Sequence, residues 1–336
     1  MGVPLLVRLP NWVGDVCMAL PALRALAARG ADLTLVGRGW AADLLTGHGW
    51  PVLALPRGVR DAARVVRATG IGRGLLLTNS LSSAAVLRLA GVSALGHRGE
   101  GRAPLLGRAI ARPPPGGHEV EVFWRLAAAA AHWLSLPPLG EGPGPTLGLR
   151  LTDAHRAAAR AALRAVGLDG VAIERRDYLV LAPLAAGTVR GQSKAWPGFA
   201  DLARACPAAG AVPVCCPGPG EEAAAAQAVP GARLLPGLGL GAYAAVCAGA
   251  RVTVANDSGP MHLAAAVDAP VLGVFGPGDP VRTRPWGPQA HWTGGGGRWP
   301  TVDEVVALLR QDRDAVPPPA GAAFSPPRAR TPPAAS

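Results

Sequence analysis

Residues capable of chemistry gather where strands give way to helices. In residues 251 to 277, RVTVANDSGPMHLAAAVDAPVLGVFGP, a β-branched run ends abruptly in Asn256, Asp257, Ser258, Gly259 and Pro260, which predicts a strand followed by a helix. Pro260 suits the first helical position, with Ser258 or Gly259 as the cap. The free N–H groups of that helix would point out of the carboxyl end of a sheet, where open α/β sheets bind ligands. Such an end favours an anion, and Asp257, Ser258 and His262 can hydrogen-bond a phosphate or a sugar. An ordinary capped helix with a packed histidine is the competing reading.

Rare residues add to this. Of the 33 basic residues, Lys194 is the one lysine, and the asparagines are Asn11, Asn79 and Asn256. A compact ammonium makes a point contact with phosphate that a guanidinium makes differently, so a lysine kept in an arginine-rich chain is a phosphate candidate, with chance retention as the alternative. The turn PNWVGDV delivers Asp15 near a helix start, where an aspartate can cap. Glu221 and Glu222 open another helix, a place that the helix dipole alone favours for acids.

The elements that position these residues follow a repeating scheme. Residues 3–9 read as a first strand, MALPALRALAARG as its helix, ADLTLVGR as a strand, and GLLLTNSLSS as an apolar strand ending in Asn79 and Ser80. AAVLRLAGV resumes a helix before a basic loop, GHRGEGRAPLL, and VEVFWRLAAAAAHWLSL closes the first half. After the proline- and glycine-rich PPLGEGPGP, the scheme restarts with the helix DAHRAAARAALRAVGL and the strand YLVLAPL. A polar loop, AAGTVRGQSKAWP, leads to a helix at GFADLARAC, a strand at AVPVCCPG and a closing helix at TVDEVVALLRQD. Repeated strand, turn and helix predict parallel sheets covered on both faces. The boundaries are a first domain at 1–140, a linker at 141–150, a second domain at 151–314 and a disordered Pro/Ala-rich tail at 315–336, with a ligand cleft between the domains.

At 336 residues the chain is long enough for two domains, each with its own core. No run of about 18 residues lacks a charge or helix breaker, which speaks against a spanning helix. The start goes directly into a strand pattern, which reads as a cytoplasmic protein. Five cysteines show no paired metal spacing and read as reduced core residues. The formal charge of +11 is spread along the chain with few aromatics and no nucleic-acid motif. It suits an anionic small substrate or an anionic membrane leaflet instead.

Four segments carry a resemblance to a known family: LPNWVGDVCMALPALRAL, LLLTNSLSSA with LAGVSALGHRGEGR, SKAWPGFADLAR and NDSGPMHLAAAVDAPVLGVFGPGDP. They resemble the ADP-heptose:lipopolysaccharide heptosyltransferases, glycosyltransferases with the GT-B fold, and most of all the heptosyltransferase II type. The resemblance covers most of residues 3 to 310. It implies two Rossmann-like domains facing a central cleft, the acceptor on the first and the nucleotide sugar on the second. It further implies inverting transfer of heptose from ADP-L-glycero-D-manno-heptose to the inner core of lipopolysaccharide, without metal or other cofactor, by a cytoplasmic enzyme peripheral on the inner face of the inner membrane.

By the same resemblance Asp15 is the general base and Lys194 a contact to the donor phosphates. Thr188 and Ser193 are auxiliary donors in that loop, Glu222 or Glu221 takes the ribose, and Asp257, Ser258, Gly259 and His262 form the phosphate and sugar turn. Asn11, Asn79 and Ser80 fall on the acceptor side. One departure stands out: relatives read P-G-A and then, a few residues on, A-K-R-W-P, whereas this chain has Pro183, Leu184 and Ala185 and a longer loop before Lys194, Trp196 and Pro197. That puts the phosphate loop in question. A GT-B transferase using another nucleotide sugar or a non-lipopolysaccharide acceptor is the second reading, and a non-catalytic sugar-nucleotide binder the third.

Overall fold

The computed structural model describes residues 2–207 and 210–314, so the expected tail at 315–336 lies outside the described residues. In the first half, β1 (Val3–Arg8) leads to α1 (Val13–Ala28), β2 (Ala31–Gly37) to α2 (Trp40–Leu45), and β3 (Val52–Ala54) to α3 (Val59–Arg67). There follow β4 (Arg73–Leu76), α4 (Leu81–Leu89), β5 (Ser93–His97), β6 (Arg108–Ile110) and α5 (Glu119–Trp133). The second half runs α6 (Asp153–Ala165), α7 (Gly170–Glu174), β7 (Tyr178–Ala182), β8 (Thr188–Val189), β9 (Gln192–Ser193), α8 (Phe199–Ala205), β10 (Val212–Cys215) and α9 (Glu222–Ala228). It continues with β11 (Arg233–Leu234), α10 (Leu240–Gly249), β12 (Val252–Asn256), α11 (Gly259–Ala266), β13 (Val271–Phe275), α12 (Pro280–Thr283), β14 (Ala290–Gly294) and α13 (Val302–Asp314).

Each half forms a parallel six-stranded sheet, in the orders β3-β2-β1-β4-β5-β6 and β11-β10-β7-β12-β13-β14. Counting only the strands of each six-stranded sheet, and so leaving out β8 and β9, the second order is the same as the first. In both, the order reverses beside the first strand, between β1 and β4 and between β7 and β12, and crevices in open α/β sheets lie at such points. The segments that follow these four strands carry Asp15, in the first turn of α1, Asn79 with Ser80, Lys194, and Asp257 with Ser258. The expected α/β architecture of two parallel sheets is therefore present, and the candidate site residues lie at the two reversals.

Each half has a core of its own on the outer face of its sheet, and a further apolar cluster is common to both. Leu6 of β1 and Val36 of β2 pack with Ala62, Leu76 and Leu87 on the outer face of the first sheet. Leu179 and Leu181 of β7 do the same with Phe199, Leu202 and Val305 on the outer face of the second. The alternate residues Leu5, Val7 and Val180 face the other way, as pleating requires, and enter one apolar cluster common to both halves. That cluster runs through Cys17 and Leu20 of α1, Phe123 and Ala127 of α5, Tyr243 and Val246 of α10, and Met261 and Leu263 of α11. The linker joins it too. Leu147 and Leu149 are buried there, and Leu149 N donates to Ala266 O at 2.7 Å. All five cysteines are buried and unpaired with one another, as expected.

Several elements are absent from the sequence reading: β3, β5, β6, β11, β14, the β8–β9 pair, and helices α2, α3, α7, α10 and α12. Among the described residues no helix is long and apolar enough to cross a membrane.

Candidate functional site

Two cavities meet at Asp15. The larger, about 880 Å³, lies between the halves and is lined by Asp15, Thr188, Lys194, Asp257, Ser258, Gly259 and His262, together with Trp12, Arg190, Gln192, Asp279 and Arg282. The smaller, about 210 Å³, is lined by Asn11, Asn79, Ser80 and Asp15, with Thr78, His97, Arg112, Glu119 and Arg282. The residues read from the sequence as donor contacts thus fall on one cavity and those read as acceptor contacts on the other. Glu222 and Ser193 are the exceptions. Glu222 is exposed and does not line the cleft, while Glu221 turns back to accept from Gly218 N at 2.9 Å; Ser193 is also exposed, lines neither cavity, and its Oγ accepts from Ala195 N at 3.1 Å. Glu222 begins α9, which follows β10, and is not a wall residue of the cleft.

Asp15 does not cap its helix. The N-cap of α1 is Trp12, whose side chain makes no capping bond, and Asp15 sits three residues in. Removal from water pushes its carboxyl up to about 6, with Glu119 adding to the rise and Arg282, Lys194 and Arg112 opposing it. A carboxylate of that affinity is ionised near neutral pH and still able to take a proton, which is what a general base needs.

Lys194 reaches the second-half turn: Nζ lies 2.9 Å from Asp257 Oδ2. The extra residues before it fold into the hairpin β8–β9, with Thr188 opposite Ser193 and Val189 opposite Gln192. Arg190 and Gly191 in its tip both have positive φ, 51° and 77°, as a two-residue turn matched to strand twist requires. The longer loop therefore brings Lys194 to the turn and adds Thr188 and Arg190 to the cleft wall.

Asn256, which the sequence marks by its rarity and as the end of a strand run, fixes this geometry. It is fully buried at the end of β12. Its Nδ2 donates to Pro183 O at 2.7 Å, and its Oδ1 accepts from Trp196 N at 2.9 Å. One amide thereby ties the start and end of the Lys194 loop to the strand that delivers Asp257. After it, Ser258 is the N-cap of α11, but its Oγ donates to Asn256 O at 3.2 Å instead of capping. The helix begins at Gly259, which corrects Pro260 to the second helical position.

His262 lies in the seam between halves. It is buried, its Nδ1 finds no protein partner, and burial pushes its pKa down to about 4, so the ring is neutral. A Cβ on Gly14 would stand 2.6 Å from His262 Cδ2, and one on Gly259 would stand 3.3 Å from Val13 Cβ. Glycine at both positions lets α1 and α11 touch. Gly14→Ala is accordingly expected to cost about 1–3 kcal/mol through overpacking against a ring that cannot move away, read as a lowered midpoint in urea unfolding. An unchanged midpoint would show that the seam yields.

In the smaller cavity Arg102 Nη2 donates to Asn79 Oδ1 at 2.7 Å, Arg8 Nη2 donates to Asn11 Oδ1 at 2.7 Å, and Ser80 caps α4. Each residue on the acceptor side is thus pinned. The buried Thr78 Oγ1 and His97 Nε2 have no hydrogen-bond partner among the described residues. Thr78 and His97 fall within segments of the resemblance without being singled out there, while Arg112 lies in a loop, Glu119 at the first residue of α5 and Arg282 on a four-residue helix, and none of these three has a motif around it.

The family model described as glycosyltransferase family 9 (heptosyltransferase) matches residues 59–306. A 61-residue stretch, 18% of the chain, is 51% identical to lipopolysaccharide heptosyltransferase 1 of Pseudomonas aeruginosa, and the match spans 17% of that relative's length. Among solved structures, the chain is similar to the ADP-heptose lipopolysaccharide heptosyltransferase II of E. coli, with a TM-score of 0.72 and 26% identity over 93% of this chain and 100% of that one. A family 9 glycosyltransferase from Veillonella parvula DSM 2008 gives a TM-score of 0.75 at 16% identity, covering 93% of this chain and 98% of its own. An E. coli heptosyltransferase solved with ADP gives 0.70 at 22%, covering 92% and 99%. These last two likenesses concern the fold, which is GT-B. The matched model, the paired parallel sheets and the cleft between them make this chain a member of glycosyltransferase family 9, the heptosyltransferases.

Proposed function

We propose that the chain moves heptose from ADP-L-glycero-D-manno-heptose to the inner core of lipopolysaccharide with inversion, in the manner of heptosyltransferase II. The observation that carries this is the position of Asp15 where the two cavities meet. ADP-heptose occupies the larger cavity on the second half, and the acceptor sugar the smaller one on the first. Asp15 takes the proton of an acceptor hydroxyl as that oxygen forms its bond to the anomeric carbon. The bond from that carbon to the phosphate oxygen breaks on the opposite face, and ADP leaves. A single displacement of this kind inverts the anomeric centre.

Lys194, Thr188, Ser258 and the first N–H groups of α11 hold the phosphates and take up the charge that grows on the leaving ADP. Asp257 keeps Lys194 aimed and, with His262, meets the sugar, while Glu222 takes the ribose where the nucleotide runs out toward α9. Trp12, 67% exposed at the rim of both cavities, offers an aromatic face to a sugar ring. A third cavity, about 360 Å³, shares Asn11 and Ser80 with the acceptor cavity and adds Arg8, Arg38 and Arg57. That run of positive charge favours an anionic glycolipid acceptor, and a net charge of +11 favours contact with the anionic inner face of the inner membrane.

The test is ADP release from ADP-heptose with lipopolysaccharide acceptors of stepwise shortened cores, beside other nucleotide sugars and small-molecule acceptors. Release with ADP-heptose and an inner-core acceptor together is expected. Turnover confined to another donor, or to a non-lipopolysaccharide acceptor, would overturn the proposal. For Lys194→Ala, losing a charge-assisted bond to phosphate costs roughly 1.5–3 kcal/mol, so ADP should bind about 10- to 100-fold more weakly by calorimetry. The Asp257 carboxylate, left without its cation beside the phosphates, pushes the loss toward the upper figure. Unchanged affinity would remove Lys194 from the phosphate site.

A further inference from the structure

The residues lining both the donor-side and the acceptor-side cavity are Trp12, Asp15 and Arg282. Arg282 belongs to the second half, on α12, whose start is capped by Asp279 Oδ1 accepting from Val281 N at 3.0 Å. Its Nε donates to Glu119 Oε1 at 2.6 Å, and Glu119 opens α5 in the first half. The same carboxylate oxygen accepts from Arg112 Nη2 at 2.8 Å. Glu119 is buried, whereas the Arg282 side chain is 56% exposed, and its terminal nitrogens have no hydrogen-bond partner among the described residues.

The neighbouring residue holds the same segment. His118 Nδ1 accepts from Val120 N at 3.2 Å, which leaves the proton on Nε2, and Nε2 donates to Arg284 O at 2.8 Å. Burial keeps this ring neutral, as that pattern requires. The dipeptide His118–Glu119 of one half therefore grips Arg282 and Arg284 of the other, at the point where the base stands.

We propose that the Glu119–Arg282 pair is a positioning device that sets the proton affinity of Asp15 according to how the two halves are seated. This rests on the reading of Asp15 as the base. Facing Asp15 from the first half are Glu119 and Arg112, and from the second half Arg282, Lys194 with its partner Asp257, and the neutral His262. Any sliding that carries α12 off Glu119 takes a cation away from Asp15 and leaves an anion beside it. Asp15 then holds its proton more tightly and is a poor base. Seating α12 returns the cation, so proton abstraction is enabled in the arrangement that joins the two cavities. The directions of the two influences on Asp15, upward from Glu119 and downward from Arg282, agree with this.

The experiment measures the pH dependence of kcat/KM by ADP release for the full chain and for Arg282→Gln, Arg282→Lys and Glu119→Gln. It adds a titration of the Asp15 carboxyl carbon by 13C NMR, assigned by its absence in Asp15→Asn. The wild-type acid limb is expected near pH 6. Arg282→Gln should move it up by about one pH unit and Glu119→Gln down by a similar amount, with Arg282→Lys close to wild type. Rate losses with an unmoved limb and unmoved carboxyl titration, or shifts of the same sign in both neutral variants, would overturn the inference and leave a merely structural pair. Failure of the base reading looks different: Asp15→Asn would keep its turnover, and the carboxyl titration would still report whether the pair acts on Asp15.

Discussion

Asp15→Asn is expected to lower turnover by about 10²- to 10⁴-fold while ADP affinity stays within about twofold of wild type. Asparagine has the shape and hydrogen-bonding reach of the aspartate but cannot accept the proton. The change does not touch a helix cap, because Trp12 holds that position and Asp15 lies three residues further on. Neither does it remove a donor phosphate contact, since the residues proposed for that task are Lys194, Thr188 and Ser258. Loss of the negative charge even eases the burial that pushes the Asp15 carboxyl up to about 6, so folding should not suffer. Single-turnover measurement at saturating donor isolates the chemical step. Turnover within tenfold of wild type, in protein shown to be folded, would rule Asp15 out as the base.

The second large effect is expected at Asn256. Asn256→Ala leaves the buried Trp196 N–H and the Pro183 carbonyl without their partner. Each such group costs about 1–3 kcal/mol, so a loss on the order of 2–5 kcal/mol is expected, or roughly 3–7 °C in Tm for a chain of this size. The damage also has a direction. Trp196 lies two residues from Lys194, and freeing it lets the whole loop from Pro183 onward drift from the turn that carries Asp257. ADP should therefore raise the Tm of the variant less than that of wild type, which a general loss of stability would not produce. A Tm within 1 °C of wild type would show that water replaces the amide.

How far these features were legible in the sequence depends on the kind of signal each left. β7 and β12 are buried along their whole length, and both stand out as continuous apolar runs. α1, α5 and α6 are long and stand out equally well. The short edge strands β3, β6 and β11 have two or three residues each, too few for any period to show. β5 reads Ser-Ala-Leu-Gly-His and merges with the loop after it. α10 is apolar on all sides, packed between helices of both halves, so it has no polar face to mark it.

The site divides in the same way. Lys194, Asp257 and Asp15 were visible because rarity or a turn motif singled them out. Glu119, Arg282 and Arg112 meet only through the docking of one half on the other, a long-range event with no local trace. The roles of Asn11, Asn79, Ser80, Glu222 and the second-half turn stay proposals of the resemblance.

The apolar layer common to both halves has a consequence for how such a chain can change over generations. Enzymes built from two separable modules acquire new substrates by exchanging one module for another. Here an exchange at the linker would set the α1 and α5 surfaces of one parent against the α10 and α11 surfaces of another, with Gly14 and Gly259 facing whatever residue stood in the seam. Two inherited surfaces would have to match side chain for side chain before either cavity existed. Changes in the turns at the strand ends escape that requirement. The β8–β9 hairpin is such a place: Thr188, Arg190 and Gln192 line the cleft wall, away from the Gly14–His262 seam, so residues there can vary without disturbing the packing between the halves.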